Sequence, residues 1–98
     1  MADLMVYAEM LPEHMRKAVC DWIERAEPHP SLLGSFMRSI LTNDLMGAFA
    51  HADYNNRVSM FEWVTFLRNY APTQCHGSWE RLEHWYTAHH PEQGVTRG

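Results

Sequence analysis

An all-α fold, a compact bundle of about four short helices in a single domain, is what this sequence predicts, and three observations carry that reading. Apolar residues recur at i, i+3, i+4 and i+7 through successive stretches. Proline or glycine stands where each stretch stops. No segment alternates polar and apolar residues as a half-buried strand does. The length of 98 residues is that of one domain, and 46% apolar with 20% charged residues is a globular balance. The division expected is a helical domain over residues 1–90 and a disordered tail over 91–98.

Residues 1–10 are apolar without clean periodicity and read as a short helix or an arm that packs on a neighbouring subunit. The first clear helix, about 12–26, starts with Pro12 in the first turn and Glu13 beside the positive end of the dipole. Met15, Ala18, Val19, Trp22, Ile23 and Ala26 form its apolar stripe, and Pro28 and Pro30 end it. A second stretch, about 33–52, begins near Ser31 or Ser35 as N-cap and carries Phe36, Met37, Ile40, Leu41, Leu45, Ala48, Phe49 and Ala52. Asn43-Asp44 interrupts it, so a bend or break is expected there, with Thr42 or Asn43 as the second cap.

Asp53-Tyr54-Asn55-Asn56 reads as a turn that caps the next helix, about 57–70. That helix is apolar around most of its circumference, which predicts a central position. Pro72 stops it, and Ser78 caps the last helix, about 79–89. The predicted core is Trp22, Phe36, Ile40, Leu45, Phe49, Phe61, Val64 and Leu67.

Composition narrows function. A net charge of −4 argues against generic attraction to a nucleic-acid backbone, and protonation of the seven histidines would reverse its sign. Twelve aromatics and seven methionines are a heavy apolar load for so small an interior, so self-association as a dimer or larger, or a partner interface, is expected. No apolar run is long enough to span a membrane. Cys20 and Cys75 form no CxxC pair, and Met1–Met10 has no basic start, which together predict a cytoplasmic protein with reduced thiols.

No reaction is legible. The histidines include no i, i+3 or i, i+4 pair that would seat a zinc ion on a helix, and neighbouring Cys75 and His76 chelate one ion poorly. Cys75 precedes a helix N-terminus but has no third group in sequence to complete a nucleophile. Asp44 and Asp53 sit where helix caps need them. No phosphate-cradling glycine loop is present. The sequence therefore predicts a protein without enzymatic activity, cofactor or metal.

Seven arginines against one lysine favour carboxylate or phosphate recognition. An anion pocket would bring together some of Arg38, Arg57, Arg68 and Arg81. Arg57 and Arg81 lead, because both fall in the first turn of a predicted helix, where an arginine opposes the dipole. Tyr54, Trp79 and Trp85 are the aromatics that would stack beside them, and Asp53 and His76 complete the candidate set.

One pattern runs through the chain: Leu11-Pro12-Glu13-His14-Met15, Gly34-Ser35-Phe36, Asn43-Asp44-Leu45, Ala52-Asp53-Tyr54-Asn55-Asn56, Phe66-Leu67, Ala71-Pro72 and Cys75-His76-Gly77-Ser78. It resembles a group of small accessory proteins of tailed phages and prophages, over about Leu11 to Trp85. His76 departs from that pattern, which has Trp there. The resemblance implies a phage accessory protein outside the virion machinery and brings no catalytic residues. The function expected is binding a host protein, in counter-defence or host takeover. The alternatives are an oligomeric trap for a small anionic nucleotide and a structural or assembly role.

Overall fold

The computed structural model describes residues 3–94, and every regular element in them is helical. The helices are α1 (Leu4–Tyr7), α2 (Glu13–Arg25), α3 (Ser35–Leu41), α4 (Leu45–His51), α5 (Tyr54–Val58), α6 (Met60–Tyr70), α7 (Trp79–His89) and α8 (Pro91–Gly94). Short 3₁₀ turns at Ala8–Met10, Pro30–Leu32 and Thr73–Cys75 link some of them. The radius of gyration, 13.3 Å, is that of a compact domain of this length.

The all-α class holds, but four helices become a series of shorter ones. The 33–52 stretch breaks at Asn43, whose φ of 65° is left-handed, and Asp44 rather than Thr42 or Asn43 caps α4 by accepting from the Gly47 N–H at 2.9 Å. Helix α3 starts at Ser35 after a Gly34 cap, so neither Ser31 nor Ser35 serves as its N-cap. The Asp53 carboxylate caps a helix as expected, accepting from the Asn56 N–H at 2.8 Å, but the capped helix is the short α5. Tyr54-Asn55-Asn56 is therefore helical rather than a turn. Ser78 caps α7, accepting from the Arg81 N–H. The N-terminal segment folds as a short helix against its own chain, with Tyr7 stacked on Tyr70 at 4.2 Å between ring centroids. Of the tail, Pro91–Gly94 forms one helical turn, and residues 95–98 lie outside the described residues.

The core lies between α2, α3, α6 and α7. Trp22, Trp63 and Phe66 are its largest fully buried side chains, joined by Leu11, Val19, Leu41, Cys75 and Leu82. Two indoles are satisfied inside it: Trp22 Nε1–H donates to the Cys75 carbonyl at 2.9 Å, and Trp63 Nε1–H donates to Asn56 Oδ1 at 3.1 Å.

Half of the predicted core is overturned. Trp22, Phe36 and Leu67 are buried, and Ile40 packs half-buried against them, but Leu45, Phe49, Phe61 and Val64 are exposed. The reason is helical phase. Helix α6 turns Met60, Trp63, Phe66 and Leu67 inward, so Phe61 and Val64 on its other side face solvent, and the helix is not buried all round. Helix α4 turns only Ala48 inward, leaving its large side chains outside.

Candidate functional site

The break at Asn43 opens a groove. Residues of the α3–α4 junction, of α6, and of the segment from Thr73 into α7 line it. Gly77 N–H donates to the Leu41 carbonyl at 2.6 Å and fixes that loop to the end of α3. The resulting groove has a volume of about 340 Å³. Ile40 from α3, Leu45 from α4, and Val64 and Leu67 from α6 supply apolar walls. Asn43, Asp44, Arg68, Thr73, His76, Gly77 and Arg81 supply the polar rim.

Arg81 is held in place from below. Its Nη1 donates to the carbonyls of Thr73 at 3.2 Å and His76 at 3.3 Å, which explains an arginine in the first turn of α7. The guanidinium lies over Gly77, whose φ of +120° favours glycine; a β-carbon there would also come to 2.7 Å of Nη1 and displace the arginine tip. His76 Nε2 is buried with no hydrogen-bond partner among the described residues. Burial lowers the pKa of the ring, and the nearby Arg81 charge adds to the effect. Carbonyls of Ala71 and Leu67 favour the protonated ring, and burial outweighs them.

The structure separates the other candidates from this groove. Arg57 sits in the last turn of α5, not the first turn of a long helix, and its Nη2 donates to the Ala52 carbonyl at 3.2 Å. Asp53 pairs with His14 Nε2 at 2.9 Å across to α2. Its carboxyl is held below the ordinary range, first by the Asn56 N–H and then by His14. Tyr54 stands in solvent at the start of α5. Trp79 donates to the Glu83 carboxylate at 2.8 Å, and Trp85 donates to the Trp22 carbonyl at 2.9 Å while packing against His89. Of the predicted site residues, His76 and Arg81 share the groove, and no aromatic of the set lines it. Arg68, one of the four arginines expected to converge, joins them, whereas Arg38 and Arg57 do not line the groove.

The thiols are sheltered. Burial pushes Cys75 up to about 12 and Cys20 up to about 11, so neither offers a thiolate near neutral pH. Among the described residues, no three His, Cys, Asp or Glu side chains are placed to hold a metal ion. No helix among them is long and apolar enough to cross a membrane.

An exposed apolar surface adjoins the groove. Leu45 and Val64, 59% and 52% exposed, stand on opposite walls. Phe49 lies one turn beyond Leu45 on α4, and Phe61, 78% exposed, lies one turn before Val64 on α6. Met46 is more exposed still, at 81%. Four of these five side chains, Leu45, Phe49, Phe61 and Val64, belong to the core that the sequence predicts. The available signal was the apolar circumference of α6, which marks either a central helix or one with an interface on its outer side.

Fold and site together define a small all-α protein with an arginine-rimmed, apolar-walled groove. No protein-family model, curated protein or solved structure matches the chain.

Proposed function

We propose that this chain is a non-enzymatic binding protein whose partner is another protein, engaged through the apolar surface of Leu45, Met46, Phe49, Phe61 and Val64. The observation that carries this reading is the exposure of those side chains on the two helices that flank one groove, in so small a molecule, since exposed apolar surface of this extent marks interaction sites. The buried Cys75 thiol and the Asp53 carboxylate already engaged by Asn56 and His14 are better suited to structure than to catalysis. Together with the resemblance to phage accessory proteins, this makes a factor of the bacterial host, in its cytoplasm, the partner we favour. A photo-crosslinking residue at position 61 should capture one discrete host protein, while the same residue at the exposed position 17 of α2, which does not line the groove, should not. Absence of a specific adduct at position 61 would overturn the reading.

A second reading, capture of a small anionic nucleotide, draws on the meeting of Arg68 and Arg81 in one groove. The absence of Phe, Tyr and Trp from the groove lining weighs against it, since those rings are the strongest stacking platforms for a base. A ligand at a hundred times its dissociation constant stabilises by about 2.7 kcal/mol. A thermal-shift screen over cyclic and linear nucleotides that moves nothing rejects this second reading.

A further inference from the structure

Two arginines on the groove rim have no carboxylate partner among the described residues. Arg68 makes no hydrogen bond or ion pair there, and Arg81 uses only Nη1, on two carbonyls. This local surplus of positive charge stands in a chain whose net charge is −4. The acid on the same rim, Asp44, already accepts from the Gly47 N–H. Immediately beside the arginines lies the apolar pair Leu45 and Val64. Val64 and Arg68 are four residues apart on α6 and so share one helix face, an aliphatic site directly next to a cationic one.

We infer that the groove docks a peptide segment of the partner protein that carries an aliphatic side chain beside a carboxylate. The aliphatic group enters between Leu45 and Val64, and the carboxylate meets the Arg68 guanidinium with Arg81 alongside. The inference rests on the protein-partner reading and adds its chemistry. Arginine's planar fork receives a carboxylate through two parallel hydrogen bonds, and the apolar walls beside it lower the competition from water. The volume of about 340 Å³ is at the small end for ligand pockets, which run about 300–1,000 Å³, and is enough for one or two anchoring side chains.

The test is selection of a displayed library of random peptides on the full chain, followed by fluorescence polarisation of synthetic peptides from the enriched set. Enriched sequences should share an aliphatic residue next to Asp or Glu. Replacing that acid by its amide should weaken binding about tenfold or more, the value of a charge-assisted hydrogen bond. Arg68→Glu should cost as much, and a peptide with Lys in place of the acid should regain binding to that variant. Arg68 has no internal partner, so the variant should melt within a few degrees of the parent, the small loss coming from an anion at the C-terminal turn of α6. Enriched peptides lacking an acid, or binding indifferent to Arg68→Glu, overturn the inference. If such binding is still lost in Leu45→Asp, the broader reading stands. A selection that enriches nothing also overturns it, and crosslinking at position 61 then judges the broader reading alone. Groove resonances that shift on concentration without peptide place a second copy there and overturn it as well.

Discussion

The indole of Trp85 donates to the backbone carbonyl of Trp22 at 2.9 Å, while the indole of Trp22 donates to the carbonyl of Cys75 at 2.9 Å. This relay ties α7 to α2, and α2 to the loop that lines the groove. The position of Arg81 therefore depends on a buried tryptophan far from it in sequence.

The two links differ in weight. Trp22 is fully buried, so Trp22→Phe leaves both a cavity and an unpaired carbonyl, and should cost about 2–4 kcal/mol. Trp85 is partly exposed, so Trp85→Phe should cost about 0.5–1.5 kcal/mol. Chemical denaturation of the two variants checks the order, and equal losses would show that the relay is not what matters.

Neighbouring phenylalanines on α6 should behave oppositely. Phe66 is fully buried, and Phe66→Ala should cost about 3–5 kcal/mol. Phe61 faces solvent, and Phe61→Ser should change stability by less than about 0.5 kcal/mol. Melting curves decide. A large loss for Phe61→Ser would return that residue to the core the sequence predicts.

His76 should make stability fall with acidity in the histidine range. Its folded pKa lies below the unfolded value near 6.5, so the unfolded chain takes up the proton first. The stability this contributes is present above the unfolded pKa and is lost as pH falls from there toward the folded pKa. The melting temperature should drop between about pH 7 and pH 5, and His76→Gln should flatten that part of the profile. An unchanged slope in the variant would assign the pH dependence to other histidines.

Both thiols should be silent toward a water-soluble disulfide reagent at neutral pH and react only after denaturation. Cys75 is fully buried, Cys20 is 4% exposed, and burial pushes both thiols up. Absorbance of the released thiolate gives the count, and rapid reaction of the native protein would show that one of them is accessible.

Local chemistry was legible in the sequence. Helical spacing predicts the all-α class, Asp53 and Ser78 stand where the sequence predicts caps, and the interruption at Asn43-Asp44 predicts a bend or break, which the structure resolves as a break. These features depend on a residue and its neighbours within one turn, where the physics is complete without the rest of the fold. What only the tertiary structure decided was phase and meeting. Periodicity says that one face of a helix is buried, but when apolar residues surround the helix, as on α6, it cannot say which face. The placement of Trp63 and Phe66 inward left Phe61 and Val64 outside. Likewise, seven arginines announced a taste for anions, but which of them share a groove depended on contacts distant in sequence. Gly77 binding Leu41 and Trp22 binding Cys75 brought Arg81 beside Arg68 and left Arg57 on another helix, with its guanidinium on the Ala52 carbonyl.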